Sequence, residues 1–297
     1  MLSLDPKSLA IPQLHGYLLG AIGPRPIAFA STIDEDGNAN LAPFSFFNVF
    51  SANPPIMIFS PARSGRTNTT KDTYNNVKQI AEVVINVVTH DIVHQMSLAS
   101  SPYEAGVDEF EKAGFTKLKS ETIKPFRVAE SPVQFECKVN EVIELGQEGG
   151  AGNLVICEVT KIHIDERVIG EDGRIDQHKI DLVSRMGGNW YCRADQNSMF
   201  EINKPIVTKG IGFDELPEDV RNSNILTGND LGHLAGIVEL PNETDVNDYK
   251  LIELSDLFVS LEDQQVKLEV ELHKKAQGLL KEDKLEEAWM TLLSFNN

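Results

Sequence analysis

The sequence has little cysteine and no long run of apolar residues. Its three cysteines (Cys137, Cys157 and Cys192) are widely spaced and form no CxxC pair, which argues against a disulfide framework and favours a reducing compartment. The longest apolar stretches, such as residues 81–88, are too short to cross a bilayer as a helix. The N-terminal residues lack the basic and then apolar pattern of a signal peptide, so we expect a cytoplasmic protein.

Positive charge is also scarce. Lys and Arg number 27 against 45 Asp and Glu, which gives a net charge of -18. Nucleic acids and anionic membranes both select cationic surfaces, so neither is expected as a partner. The acidity is strongest in residues 199–297, which hold 20 acidic and 9 basic side chains. We interpret this excess as a solvated acidic face.

Several motifs of known chemistry are absent. There is no Walker A loop, no G-x-S-x-G elbow and no dinucleotide-binding G-x-G-x-x-G. A nicotinamide cofactor would therefore bind without a separate dinucleotide domain. His90 and His94 stand four residues apart, but a metal site needs a third ligand and none is near in sequence, so we predict no metal. His94 is a weak candidate for positioning a nicotinamide.

Alternating apolar and polar residues predict a mainly β domain with flanking helices. The strands are short and separated by turns such as 34–37, which is typical of an antiparallel, hairpin-built sheet. A closed or partly closed barrel would remove its exposed edges. Helices are expected at 73–80, with Asp72 as the cap, and at 90–100. The expected strands are 27–33, 41–50, 56–59, 83–88, 133–145 and 154–164.

Residues 199–297 form a second region, so the predicted domains are 1–198 and 199–297. Leu285, Trp289, Leu292 and Leu293 fall on one helical face, and we expect the extension to be mostly helical. Residues 266–272 alternate as in a strand, while the residues after them favour a helix, so this segment stays open. The extension has no assigned catalytic role. It could cover a ligand site, extend a dimer or contact a partner.

One loop is basic in this acidic chain. Residues 60–71 (SPARSGRTNTTK) place Arg63, Arg66 and Lys71 among hydroxyl side chains, just before a predicted helix. Cations, hydroxyls and amides near a helix N-terminus suit a phosphate group. The alternative is an ordinary solvated surface loop.

Three segments together resemble the flavin reductase-like, FMN-binding split-barrel family, which includes flavoredoxin and the reductase components of two-component flavin monooxygenases. They are GAIGPRPIA (20–28), NLAPFSFFNVFSANPP (40–55) and SPARSGRTNTTKDT (60–73). Later matches are DEF, SPVQFEC and SRMGGNWYCR, so the resemblance covers about residues 10–195. It implies an antiparallel Greek-key split β-barrel of six strands. It also implies a homodimer with one FMN per subunit near the dimer interface.

The resemblance also implies roles for individual residues. The flavin ring would lie along residues 43–48, and its phosphate would meet the basic loop. Phenylalanines 44, 46 and 47 could instead be core residues. Because side chains alternate along a strand, we expect Phe44 and Phe46 on one face and Phe47 on the other. Arg25 would lie near the site or the interface, or act as a structural pin. The implied FMN-binding residues are Arg25, Pro43, Phe44, Ser45, Phe46, Asn48, Ser60, Arg66 and Lys71.

The segment Met186–Gly188, with Trp190 and Tyr191, resembles the family's closing turn. There it approaches the neighbouring subunit's flavin, while the alternative is an aromatic anchor in the interface. The function implied is an NAD(P)H:flavin oxidoreductase in which NADH or NADPH passes hydride to flavin N5, with no side chain required as acid or base. Two alternatives remain: a flavoredoxin-like electron carrier that passes electrons to a protein partner, and a non-catalytic flavin-binding module.

Overall fold

The computed structural model describes residues 1–104, 106–202 and 204–296. Their contacts divide the chain into two compact units, residues 1–200 and 201–297. Among the described residues, no helix combines the length and the apolar character needed to cross a membrane.

The first unit is built on a seven-stranded sheet in which every neighbouring pair is antiparallel. The strands of this sheet are β1 (Ala28–Ile33), β2 (Ala39–Phe44), β3 (Phe47–Ala52), β4 (Pro55–Phe59), β5 (Glu82–Asn86), β8 (Val133–Glu144) and β9 (Asn153–Ile164). Their order across the sheet is β2-β1-β5-β8-β9-β4-β3. The predicted antiparallel β fold with flanking helices is confirmed.

The strand predicted at 41–50 is wrong, because the chain bends at Ser45 and Phe46 and makes two strands. β2 pairs with β1, whereas β3 pairs with β4, so these successive strands stand at opposite ends of the strand order. A linker of two residues between the two edges requires the sheet to curl on itself, as in a split barrel. This split also explains why the sheet has seven strands instead of six.

Apolar residues on the inner face of the curled sheet form the barrel core. Phe59 and Ile85 are fully buried there, and Phe44 and Phe47 pack against the same cluster from its margin. The expectation that Phe44 and Phe47 face opposite sides is therefore wrong, because the bend at Ser45 resets the alternation. Other members of the cluster are Ala28, Ala30, Met57, Val77, Val83, Cys137, Val155 and Cys157.

Short helices and two small hairpins complete the unit. The predicted helix at 90–100 is a 3₁₀ turn, His90–Ile92, followed by α3. Asp72 is the first residue of α2 and not its cap, since Lys71 occupies the cap position. The remaining elements are α1 (Ile11–Ala21), α2 (Asp72–Gln79), α3 (Val93–Leu98), α4 (Glu109–Ala113), β6 (Lys117–Leu118), β7 (Arg127–Val128), β10 (Val183–Arg185) and β11 (Tyr191–Arg193), with 3₁₀ turns at Pro6–Ser8 and Glu166–Val168.

The second unit is helical, as predicted. The open segment 266–272 is helix, because Leu268, Leu272 and Ala276 bury one helical face with the period of four that a strand cannot provide. Trp289 is fully buried and its indole N–H donates to Leu234 O at 3.1 Å. The helices are α5 (Glu218–Arg221), α6 (Gly228–Leu234), α7 (Glu243–Tyr249), α8 (Ser255–Ser260), α9 (Gln265–Lys281) and α10 (Leu285–Leu293), with a 3₁₀ turn at Phe213–Glu215 and a π-helical turn at Lys250–Leu254.

Candidate functional site

The basic loop, residues 60–71, connects β4 to α2 and is folded by its own polar groups. Arg63 donates from Nε to Asn68 Oδ1 and from an Nη to Asn68 O, both at 2.7 Å. Ser64 Oγ accepts from the N–H groups of Arg66 and Thr67. Arg63 and Ser64 therefore stabilise the loop itself, which gives it a defined shape.

Two cations of this loop have no such duty. Arg66 and Lys71 are exposed, and within the described residues the structure gives neither side chain a hydrogen bond or ion pair with another side chain. The nearby hydroxyls of Thr67 and Thr69 bond to each other at 2.9 Å. The loop thus presents two unpaired positive charges on a folded scaffold.

The basic loop leads directly into the first turn of α2. The cap residue of this helix is Lys71, whose side chain makes no capping hydrogen bond to the first N–H groups. A helix N-terminus without a side-chain cap leaves amide donors for an anion. The basic loop and the start of α2 therefore carry the donors that a phosphate group requires.

Ser60, the third residue predicted at the phosphate, is in a different environment. It is only 6% exposed, and its Oγ accepts from the N–H of Asn153 at 3.0 Å. Asn153 Nδ2 also donates to Pro61 O at 2.8 Å. These bonds join the start of the basic loop to the start of β9, so the Ser60 hydroxyl has a structural role here. Its contact with phosphate stays a prediction.

The glycine-rich loop 146–152, between β8 and β9, packs against the basic loop. Arg63 N–H donates to Ala151 O at 2.8 Å, and Gly150 N–H donates to Arg63 O at 3.1 Å. A Cβ on Gly149 would lie 3.0 Å from Ser64 O, and one on Gly152 would lie 3.0 Å from Ser60 Oγ. Glycine is required here because the two backbones touch. The sequence showed four glycines but not which loop they would contact.

The bend between β2 and β3 presents the predicted ring-binding residues. Pro43, Phe44 and Ser45 are half-buried, and the Phe44 ring lies 5.6 Å from that of Phe59. Phe46 and Asn48 are exposed. The Phe46 ring meets His15 of α1 edge-on, with centroids 6.4 Å apart. Phe46 and Asn48 are therefore the accessible members of the set.

Ser60 brings this bend next to the basic loop. The N–H of Ser60 donates to Phe46 O at 2.9 Å, so the first residue of the loop is bonded directly to the bend. Strands β3 and β4 pair with Phe47 opposite Phe59. The structure thus joins residues 43–48 and the basic loop in one region of the unit.

Arg25 is held by main-chain oxygens. It is 6% exposed and donates to Leu19 O at 2.9 Å, to Ile22 O, and to Met186 O at 3.0 Å. Burial lowers the pKa of Arg25, and the charge of Arg185 lowers it further. These contacts fit the structural pin, because the guanidinium ties the end of α1 to the turn at 186–190. Arg25 as an FMN ligand stays a prediction.

The turn predicted to close the site is a tight hairpin between β10 and β11. Met186 N–H donates to Trp190 O, and Gly188 has a φ of 56°. A Cβ on Gly187 would lie 3.1 Å from Gly20 Cα, so the turn packs closely against α1 of the same chain, and its approach to a neighbouring subunit's flavin stays a prediction. Trp190 is 77% exposed at the tip of the turn.

A buried carboxylate that sequence analysis missed lies on β8. Glu136 is fully buried and accepts from Glu121 N–H, Thr122 N–H and Thr122 Oγ1 at 2.6 to 2.8 Å. His163 Nε2 lies 2.8 Å from Glu136 Oε1. Burial alone would raise the pKa of Glu136, but these hydrogen bonds outweigh it and lower the pKa to about 2. We call Glu121, Thr122, Glu136 and His163 the Glu136 cluster.

A second buried acid belongs to the DEF motif. Glu109 accepts from the N–H of Leu41 at 2.9 Å, which joins α4 to the edge strand β2. Burial raises the pKa of Glu109, although the hydrogen bond from Leu41 opposes the shift. The motif therefore has a structural role in this chain.

The comparisons with known proteins agree with this architecture. Residues 21–178 match the family described as flavin reductase like domain, and this protein belongs to that family. A protein of Halalkalibacterium halodurans is 36% identical over 210 residues, which is 70% of this chain and 99% of the relative. The predicted family is therefore confirmed, and with it a flavin-related oxidoreductase.

Solved structures lead to the same class. Nitrilotriacetate monooxygenase component B from Bacillus cereus is 30% identical and has a TM-score of 0.63, covering 68% of this chain and 98% of its own. A Shewanella frigidimarina protein described as having a split barrel domain is 26% identical, with a TM-score of 0.56 and coverage of 67% and 96%. The split barrel expected from the sequence is confirmed.

Proposed function

We propose that this protein binds FMN and works as an NAD(P)H-dependent flavin oxidoreductase. The observation that carries the proposal is the pair of unpaired cations, Arg66 and Lys71, beside the start of α2 in a flavin reductase-like barrel. Packing does not require these charges where they stand. A ligand with a phosphate group would give them a partner.

The residues divide the work of binding. Arg66 and Lys71 would hold the FMN phosphate with the first amides of α2, while Arg63 keeps the loop in shape through Asn68. Phe46 would cover an apolar part of the ring, and the exposed amide of Asn48 would meet its polar edge. Bound flavin would supply the capacity to accept hydride. The chain itself would supply anchoring and orientation.

A homodimer is part of the proposal. Strand β3 is the last strand in the sheet order, and it exposes Val49 and Phe50, the latter by 64%. Exposed apolar edge strands are usually covered by another chain or element. We infer that a second copy covers this edge, and we expect light scattering to give twice the chain mass.

The same proposal assigns FMN binding to residues 1–198. Residues 199–297 are proposed as a separate C-terminal extension without an assigned role. Component B of nitrilotriacetate monooxygenase is by its name one part of a larger system. We propose that this protein likewise passes its electrons on to an acceptor, through reduced flavin or through a protein partner.

The first experiment is the visible spectrum of the purified protein before and after anaerobic NADH and then NADPH. A flavin band that bleaches with either nucleotide supports the reductase. A flavin band that persists after both nucleotides would still support bound flavin. It would favour an electron carrier that is reduced by another donor. A colourless protein that does not bind added FMN contradicts the proposal.

The phosphate site has its own test. We expect Lys71→Ala to weaken FMN binding about tenfold, as lost charge-assisted hydrogen bonds typically do, with an unchanged circular dichroism spectrum. The matched control is Lys78→Ala on the same helix, because Lys78 is already paired with Glu144 at 3.2 Å. Equal FMN affinity in both variants would rule out the phosphate assignment.

A further inference from the structure

We propose that His90, Asp91 and Asp181 form a binding site for a first-row divalent transition metal ion. One ring nitrogen of His90 and one carboxylate oxygen from each aspartate all lie within 4.8 Å of one another. Ligand bonds to such ions are about 2.0–2.2 Å long, so donors on one ion stand at most about 4.4 Å apart. The spacing of these three atoms is therefore close to what a common ion requires.

The main chain holds the two contributing segments together. His90 N–H donates to Asp181 O at 3.0 Å, and Thr89 forms an isolated antiparallel bridge with Leu182. His90 and Asp91 are adjacent in the 3₁₀ turn His90–Ile92. The three ligands are thus placed by backbone contacts that do not depend on an ion, and a preformed site loses less entropy on binding.

Arg193 fixes the carboxylate of Asp181. Its Nε and one Nη donate to the two oxygens of that carboxylate at 2.7 and 2.9 Å. Carboxylates that bind metals commonly accept such outer hydrogen bonds, which set their orientation. The arginine also cancels one of the two negative charges, so we expect moderate affinity. In the absence of metal, the same arginine prevents repulsion between the two aspartates.

The donor set selects the class of ion. One imidazole nitrogen and two carboxylate oxygens suit Mn²⁺, Fe²⁺, Co²⁺, Ni²⁺ or Zn²⁺, whereas Ca²⁺ and Mg²⁺ prefer oxygen alone. Three protein ligands leave at least one position for water. His90 and Asp91 are exposed, so an ion reaches them without opening the fold.

The position of the site suggests what an ion would do there. Asp181 lies just before β10, which begins at Val183. Strands β10 and β11 form the hairpin whose tip carries Trp190. Bound metal would fasten this segment to the turn that begins α3. In the sequence, His90 and His94 have no third ligand nearby, because Asp181 lies far along the chain.

The test uses the full-length chain without a histidine tag, stripped of metal by chelation. Calorimetric titration with Co²⁺ and with Zn²⁺ is expected to show one ion per chain, and Co²⁺ is expected to raise Tm. His90→Ala and Asp181→Asn should each weaken binding at least about tenfold. Asn tolerates the φ of 51° at position 181, so that variant should keep the fold.

The control is His94→Ala, an exposed histidine on the next element that lies outside the three-residue group. It should bind Co²⁺ with the affinity of the original chain. Two outcomes overturn the proposal: no binding of either ion up to millimolar concentration, or equal binding by His90→Ala. The first would mean that Arg193 and Asp181 serve only as an ion pair. These readouts do not involve flavin, so the inference stands or falls separately from the proposed function.

Discussion

The basic loop and the Glu136 cluster use charge in opposite ways. In the cluster, a fully buried carboxylate receives hydrogen bonds from main chain, hydroxyl and imidazole. In the basic loop, the exposed side chains of Arg66 and Lys71 have no hydrogen bond or ion pair with another side chain of the described residues. A buried charge needs its partners to tolerate burial, whereas an exposed unpaired charge contributes little to the fold. In these two regions the satisfied charge therefore belongs to the fold, and the two cations without a side-chain partner are the ones that we assign to a ligand.

The largest effect should come from removing the buried charge. We expect Glu136→Gln to lower the free energy of unfolding of the first unit by about 3 kcal/mol, because two main-chain N–H groups lose a charged acceptor. FMN affinity of the folded protein should not change. Urea denaturation followed by far-ultraviolet circular dichroism gives the first quantity and flavin fluorescence the second.

Glu121→Gln is the matched control for this prediction. That acid is half-exposed and pairs with Lys161 at 2.7 Å, so its loss should cost less than about 1 kcal/mol.

The pH dependence of the Glu136 contribution to stability has a definite sign. With a folded pKa of about 2 against an ordinary 4.5, the contribution of Glu136 is complete above pH 4.5 and is lost as pH falls toward 2. Equal stability of the two variants would mean that the cluster is not needed for the fold.

The opposite pattern is expected in the basic loop. Arg66→Gln should weaken FMN binding about tenfold, or about 1.4 kcal/mol, through loss of a charge-assisted hydrogen bond. Its free energy of unfolding should stay within about 0.5 kcal/mol. Arg174→Gln is the control. The Arg174 side chain is highly exposed, and its substitution removes the same charge from a position outside the basic loop. If Arg66→Gln lowered the free energy of unfolding and left FMN affinity unchanged, Arg66 would have a structural role and no role in binding the phosphate.

Much of the fold could be predicted from the sequence. The long hairpin of β8 and β9 shows in its alternation, and α10 shows in the spacing of its apolar residues, whereas the start of α9 alternates as a strand does, so the sequence leaves that segment open. The bend at Ser45 could not be found, because one serine within an aromatic and apolar stretch is a weak turn signal. It is imposed by pairing partners at opposite edges of the sheet, and such tertiary constraints override local propensity.

The candidate site divides in the same way. Composition and resemblance identified the basic loop, but only the structure separates Arg66 and Lys71 from Arg63, whose bonds to Asn68 depend on the folded loop. Glu136 lies within the SPVQFEC match, but nothing in that motif indicates a buried and hydrogen-bonded carboxylate, since its partners come from a distant loop and the neighbouring strand. Which polar groups are satisfied is a property of tertiary structure, so sequence patterns cannot report it.

A third variant tests whether the glycine-rich loop supports the basic loop. Gly149→Ala would place a Cβ 3.0 Å from Ser64 O and 3.4 Å from Gly65 Cα. Overpacking of this kind costs about 1 kcal/mol or more, and we expect a loss of FMN affinity of about threefold as the loop shifts. Gly65→Ala is the control, because its Cβ would meet no atom within 4 Å. Matching affinities, measured by flavin fluorescence, would show that the two loops are not coupled.

The smallest effect concerns His273, a buried side chain whose polar atoms are less fully hydrogen-bonded than those of Glu136. His273 in the second unit is 3% exposed, and its Nδ1 lies 2.7 Å from Ser223 Oγ. That oxygen already accepts from the N–H groups of Ile225 and Leu226, so its own proton goes to Nδ1. The proton of the imidazole is therefore on Nε2, which is buried and has no hydrogen-bond partner among the described residues. His273 is half satisfied, and protonation would charge it where it cannot be solvated.

Burial lowers the pKa of His273, while Glu269 and Asp219 oppose the shift. The unfolded chain binds a proton near pH 6.5, whereas the folded one resists it. The stability of the second unit should therefore be complete above pH 6.5 and decrease as pH falls from 6.5 toward the lower folded pKa. Fluorescence of Trp289 in a Trp190→Phe background reports this unit alone, since the chain has two tryptophans. His273→Gln should flatten the pH dependence between 7.5 and about 5.5, and an equally steep decrease in that variant would assign the effect to other groups.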